Sequence, residues 1–123
     1  KENISLMESG VIMLYLAETY GNFLSLQKKE RYKCMEWLNF QTASQGPMLG
    51  QAHHFLKFNK GKSEYSEKRY HEEAKRLYKV IDKQLKSNKF LSVLKSRSFA
   101  TYFVGSSKST LLSDKLVVTS RFG

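Results

Sequence analysis

Little in this chain could cross-link it or break it up: among its 123 residues there is one cysteine, one proline and one tryptophan. A single thiol, Cys34, rules out an internal disulfide framework and fits a reducing compartment, so a cytoplasmic location is expected. Long apolar runs are missing too. Charges interrupt the hydrophobic residues throughout, and no run approaches the roughly 20 apolar residues that span a bilayer, so neither a transmembrane helix nor a membrane partner is expected. The first residues, Lys1-Glu2-Asn3-Ile4-Ser5, lack an initiator methionine and the positive-then-apolar order of a secretory signal, so they read as the interior of a longer chain. Acidic residues are scarce, 11 against 21 basic ones, for a net charge of +10. Gathered on one face, such an excess could neutralise phosphates. Here it is spread along the chain, and no stretch interleaves arginine with aromatics as a single-strand platform does, so no nucleic-acid partner is expected. What is present, 41% hydrophobic residues, suffices for the core of one domain.

The apolar residues recur mostly at helical intervals. Ser9 precedes Val11-Ile12-Met13-Leu14-Tyr15-Leu16-Ala17, and Gly21 follows, which predicts a helix that is hydrophobic on most sides. A second helix is predicted from residue 28 to about 44. There Tyr32, Met35, Leu38 and Ala43 alternate with Cys34, Trp37, Phe40 and Gln41 in a wide apolar face that must be largely buried. Gly46-Pro47 predicts a kink or restart, after which helix resumes until Asn59-Lys60-Gly61-Lys62. Ser63 or Ser66 caps a third helix, in which Tyr70, Ala74, Leu77, Tyr78, Ile81 and Leu85 form the clearest periodic face. Glu72 with Arg76 and Asp82 with Lys86 are spaced for ion pairs, and Ser87-Asn88 stops the helix. Farther on, Phe99, Tyr102, Phe103 and Val104 suggest another helical piece, broken at Gly105, and residues 116–119 look strand-like. There is no internal repeat.

No complete catalytic set stands out among these residues. His53 and His54 diverge by about 100° on a helix and no third ligand accompanies them, so no metal site is expected. Cys34, in mid-helix among apolar neighbours, reads as a packing group. Glu8-Ser9 differs, because a carboxylate and a hydroxyl stand beside the free backbone donors of a helix start. Such a corner could hold an amino acid, the carboxylate accepting from the α-ammonium while the hydroxyl and amides donate to the α-carboxylate. Plain capping by Ser9 explains the same residues, and the local sequence favours it.

Beyond these derivations, Leu6-Met7-Glu8-Ser9-Gly10-Val11-Ile12-Met13-Leu14-Tyr15-Leu16-Ala17-Glu18 resembles the Glu-Ser-Gly-Ala-Ile motif with which glutathione transferases leave their thioredoxin-like domain. Gly46-Pro47-Met48-Leu49-Gly50-Gln51-Ala52-His53-His54-Phe55 is similar to a segment of the bacterial Nu-class disulfide-bond oxidoreductases and of the related yeast nitrogen-regulation prion protein. Glu67-Lys68-Arg69-Tyr70, and the helix from Arg76 to Leu85, resemble the Glu-Arg-Tyr segment and Arg-Leu-Tyr helix of the same group. The resemblance covers residues 4 to about 92. It departs at Lys95-Ser96-Arg97-Ser98, where the family has a Ser-Ile-Ala-Asp capping box, and the strands and the Thr and Asn that stabilise the glutathione sulfur are not in this sequence.

The resemblance implies an all-α helical bundle like the glutathione transferase C-terminal domain, incomplete at both ends. Residues 1–24 would hold the end of the thioredoxin-like domain and a linker, 25–94 the helical domain, and 95–123 a divergent tail expected to dock poorly. It implies glutathione-dependent disulfide reduction or glutathione transfer, with Glu8, Ser9 and Arg69 binding glutathione. Glutathione is then a substrate rather than a prosthetic group, no other cofactor is expected, and the expected assembly is a homodimer. The competing expectation is a noncatalytic protein-interaction module built on the same helices.

Overall fold

A computed structural model of the chain describes residues 3–88 and 90–92. The expectations for the tail, residues 95–123, lie outside the described residues. Those that are described contain helices and no strand.

The first helix, α1, covers Ser9–Tyr20 and ends at Gly21, whose left-handed backbone (φ 65°) is the conformation glycine adopts most cheaply at a helix end. Its apolar surface is mostly open. Only Ala17 is buried, whereas Val11, Ile12, Tyr15 and Leu16 are exposed. A connection in which Leu24 turns inward leads to α2, Lys28–Phe40.

The Gly46-Pro47 step neither stops the helix nor restarts it through an extended residue. Helical backbone continues from residue 28 to 58, as α2, a π turn at Gln41–Gln45, α3 at Gly46–His53 and a second π turn at His54–Phe58. Proline has no amide hydrogen to donate, and its ring crowds the carbonyl four residues back, which an α turn would place against it. Widening the preceding turn relieves that crowding: the Gly46 amide donates to the Gln41 carbonyl five residues back. A side chain at position 46 would oppose the arrangement, since a Cβ there would lie 3.2 Å from Gln41 Nε2 and 3.3 Å from its carbonyl oxygen.

The last helix, α4, covers Glu64–Ser87. Ser63 caps it, its hydroxyl accepting from the Ser66 amide at 3.3 Å, and the Glu67 carboxylate accepts from the Gly61 amide at 2.5 Å. Glu64 and Glu67 in the first turn and Lys86 in the last oppose the helix dipole. Asp82 and Lys86 pair at 3.2 Å as their spacing predicts. The other expected pair is replaced: Glu72 takes Lys75 at 3.0 Å and Glu73 takes Arg76 at 2.7 Å, both one residue closer along the helix.

The main core lies between the long rod and α4. Trp37, Leu49, Ala52, Ala74, Tyr78, Ile81 and Leu91 form it, with Phe40, Leu56, Tyr70 and Leu85 at its edges. The periodic face predicted for α4 is therefore the packed face. A smaller cluster of Ala17, Leu24 and Cys34, flanked by Leu14 and Met35, attaches α1 to α2. Burial along α2 and the π turn after it is one-sided rather than general: Cys34, Trp37 and Leu38 are inside, while Tyr32 and Ala43 face solvent. No helix among the described residues is long and apolar enough to cross a membrane.

Candidate functional site

Glu8 and Ser9 stand side by side at the start of α1, both exposed. Glu8 occupies the capping position and accepts the first helical bond, from the Ile12 amide, at 3.0 Å through its carbonyl. Plain capping by Ser9 does not occur, because Ser9 is already the first helical residue, and among the described residues no side chain bonds to the open amides of the first turn. That leaves a carboxylate, a hydroxyl and unsatisfied backbone donors at the positive end of a helix dipole, all facing water.

The backbone of Glu8 is itself unusual, with φ 69° and ψ 115°. A non-glycine residue in this region carries strain of about 1–3 kcal/mol, and such residues concentrate where a side chain must be aimed. The corner can accept hydrogen bonds from an ammonium group and donate them to a carboxylate, the pairing that an α-amino acid presents.

Arg69 lies in the second turn of α4 and is exposed. Among the described residues no ion pair or hydrogen bond occupies its guanidinium. One turn on, the Glu73 carboxyl is held below the usual range chiefly by its hydrogen bond from Arg76, with Arg69 a smaller influence. The three sequence-predicted site residues are therefore not one contact network: Glu8 and Ser9 adjoin, and no hydrogen bond or ion pair joins them to Arg69.

The alternative chemistries find little footing. Among the described residues no group of three His, Cys, Asp or Glu side chains could hold a metal ion. The His53 ring packs against Phe58 with centroids 4.8 Å apart, while His54 meets Asn59 through Nε2 at 3.0 Å, so the two imidazoles diverge as their spacing requires. Cys34 is 1% exposed and its sulfur lies 3.9 Å from the Phe23 carbonyl, a packing position. An open groove of about 340 Å³ lies along the far half of α4, lined by Trp37, Val80, Lys83, Gln84, Ser87 and Asn88, away from all three predicted residues.

Of the polar groups in the core, Gln41 and Tyr78 stand on faces expected to be buried, whereas Gln45 was not anticipated. Gln45 is fully buried and neither of its amide atoms bonds to a described residue, and among the described residues Gln41 Oε1 and the Tyr78 hydroxyl are likewise buried without a partner. The available signal was the pair of glutamines at core-facing steps between Trp37 and Leu49. Burial raises the Tyr78 phenol above its ordinary pKa.

No protein-family model matches the chain. It is 46% identical over 90 residues to the disulfide-bond oxidoreductase YfcG of Escherichia coli (strain K12), a match covering 73% of this chain and 42% of that protein. It is 34% identical over 112 residues to the transcriptional regulator URE2 of Saccharomyces cerevisiae, covering 85% of this chain and 32% of the regulator. Among solved structures, a glutathione transferase from Pseudomonas putida with glutathione disulfide bound aligns over 85% of this chain and 47% of its own, with TM-score 0.74 and 34% identity. A glutathione transferase YghU from Streptococcus pneumoniae complexed with glutathione aligns over 85% of this chain and 40% of its own, with TM-score 0.77 and 32% identity. The chain thus spans less than half the length of each of these proteins, and the aligned solved structures agree with a helical domain of the transferase C-terminal kind.

Proposed function

Since this chain belongs to the glutathione transferase family and is related to URE2, we propose that it supplies part of the glutathione site of a glutathione-dependent disulfide oxidoreductase. The Glu8–Ser9 corner is the observation that carries this reading: its acceptor and donors are left open on the protein and match the zwitterionic γ-glutamyl end of glutathione. Glu8 accepts from the α-ammonium, while Ser9 and the first amides of α1 donate to the α-carboxylate. Arg69 adds a cationic contact from α4. In the overall reaction two glutathione thiols are oxidised to glutathione disulfide as a substrate disulfide is reduced to two thiols. The electrons come from glutathione, which acts as a substrate, and no further cofactor is needed.

The attacking group in such an exchange is a thiolate. We assign to this span the binding and orienting of the γ-glutamyl end of glutathione, and none of the described residues is assigned to its sulfur. A reducing, cytoplasmic setting suits a reaction that consumes reduced glutathione, and pairing of two copies through the 28–58 rod is the assembly we propose. Titration of the backbone amides with reduced glutathione tests the site: Ser9 and Gly10 should shift, and Glu8→Ala should weaken the binding. Shifts confined to other residues would refute it.

A noncatalytic interaction module is the second reading. It is favoured by the open apolar surface of α1 and by the likeness to a transcriptional regulator. Failure of the chain to be retained on immobilised glutathione would favour the module.

A further inference from the structure

The Glu8–Ser9 corner is held from below by the first π turn, and we propose that Thr42 in that turn is a positioning residue for glutathione. This rests on the reading of the corner given above. The burial that attaches α1 to the rest of the chain lies toward its far end, where Ala17 meets Leu24 and Cys34. At the near end the backbone comes in closely at Gly10, one residue after Ser9. A Cβ placed there would lie 3.4 Å from the Thr42 γ-methyl and 4.0 Å from Leu38 Cγ. Those are ordinary contact distances, so an alanine would just fit and a longer side chain would push α1 away.

Thr42 is fixed from its other side. Its hydroxyl donates to the Leu38 carbonyl at 3.2 Å and lies 3.4 Å from that of Asn39, the back-bond that selects one threonine rotamer and here leaves the methyl directed at Gly10. Thr42 belongs to the π turn Gln41–Gln45, whose closing bond, from the Gly46 amide to the Gln41 carbonyl, comes immediately before Pro47. The chain of support therefore runs from Pro47 through the widened turn to the Thr42 methyl, then to Gly10 and the strained Glu8. In this account Thr42 touches no ligand and acts by setting where the carboxylate, hydroxyl and amides stand.

The test compares Thr42→Ser, which deletes the methyl and keeps the hydroxyl, with Thr42→Val, which keeps a methyl and deletes the hydroxyl. The full chain is titrated with reduced glutathione, the dissociation constant is read from the Ser9 and Gly10 amides, and hydrogen exchange is followed beside it. In Thr42→Ser binding weakens several-fold and the Ser9, Gly10 and Val11 amides exchange faster, while Ala74, Leu77 and Ile81 keep their protection, showing that the fold is intact. Thr42→Val binds as the parent does. Equal weakening in both variants overturns the role of the methyl. Unchanged binding in Thr42→Ser, beside a clear loss in Glu8→Ala, overturns the positioning role and leaves the Glu8 assignment standing. Unchanged binding in both Thr42→Ser and Glu8→Ala overturns the glutathione corner and this inference with it.

Discussion

Replacing Glu8 by glycine should make the chain more stable and a poorer glutathione binder at once. The present backbone at Glu8, φ 69° and ψ 115°, carries about 1–3 kcal/mol of strain that glycine does not feel. Glycine offsets about 0.5–1 kcal/mol of that gain through the entropy it loses on folding. As a capping residue it is worse than a good cap by only a few tenths of a kcal/mol, and Glu8 makes no side-chain cap bond to lose. The net is a stabilisation of up to about 2 kcal/mol, a rise of as much as several degrees in Tm for a domain of this size. The carboxylate goes with the side chain, and a hydrogen bond to a charged group contributes about 1.5–3 kcal/mol, which exposure of the corner reduces to the low end, or about tenfold in Kd. Glu8→Ala separates the two effects, since alanine keeps the backbone penalty and loses the carboxylate, so it should bind equally poorly with no gain in Tm. Thermal melts followed by circular dichroism and amide titration with glutathione measure both quantities. A lower Tm for Glu8→Gly would show that the side chain supports the fold, and unchanged affinity would remove Glu8 from the site.

Arg69→Ala should weaken glutathione binding less than Glu8→Ala does, because the guanidinium is exposed, and the difference from the parent should shrink in titrations at high salt. Leu77→Ala, at a fully buried position in α4, should cost about 2–5 kcal/mol by urea denaturation, and a loss below 1 kcal/mol would contradict the packing described. Gln45→Leu should be neutral or stabilising by about 1 kcal/mol in the same assay, since it removes a buried amide that bonds to no described residue; a clear loss would mean the amide is satisfied in solution. Because burial raises the Tyr78 pKa in the folded chain, the unfolded phenol ionises first. The contribution of Tyr78 to stability is therefore complete below about pH 10 and lost as pH rises through the folded value, and Tyr78→Phe should flatten that alkaline slope in denaturation profiles.

Several elements were legible one residue at a time because their causes are local. Gly21 closes α1 through a backbone conformation that glycine adopts cheaply, Ser63 caps α4, and the three- and four-residue steps from Tyr70 to Leu85 describe the face that packs. Asp82 and Lys86 meet as their spacing predicts, whereas Glu72 chooses Lys75 over Arg76 because several cations lie within reach and side-chain rotamers select among them. The chemistry of Glu8 and Ser9 could likewise be anticipated, since a carboxylate and a hydroxyl before an apolar run bring their donors and acceptors wherever the helix packs.

The sequence by itself determined where the helices begin and end and which functional groups stand at the start of α1, because capping, periodicity and helix-end polarity act over only a few residues. Tertiary structure alone decided that the Gly46-Pro47 step becomes a widened turn inside a continuous rod, that Gln45 is buried at the packing seam, and that the Thr42 γ-methyl is the side-chain atom nearest the Gly10 position. Each of these depends on what the opposite helix leaves room for, and packing across elements far apart in the chain leaves no periodic trace along it.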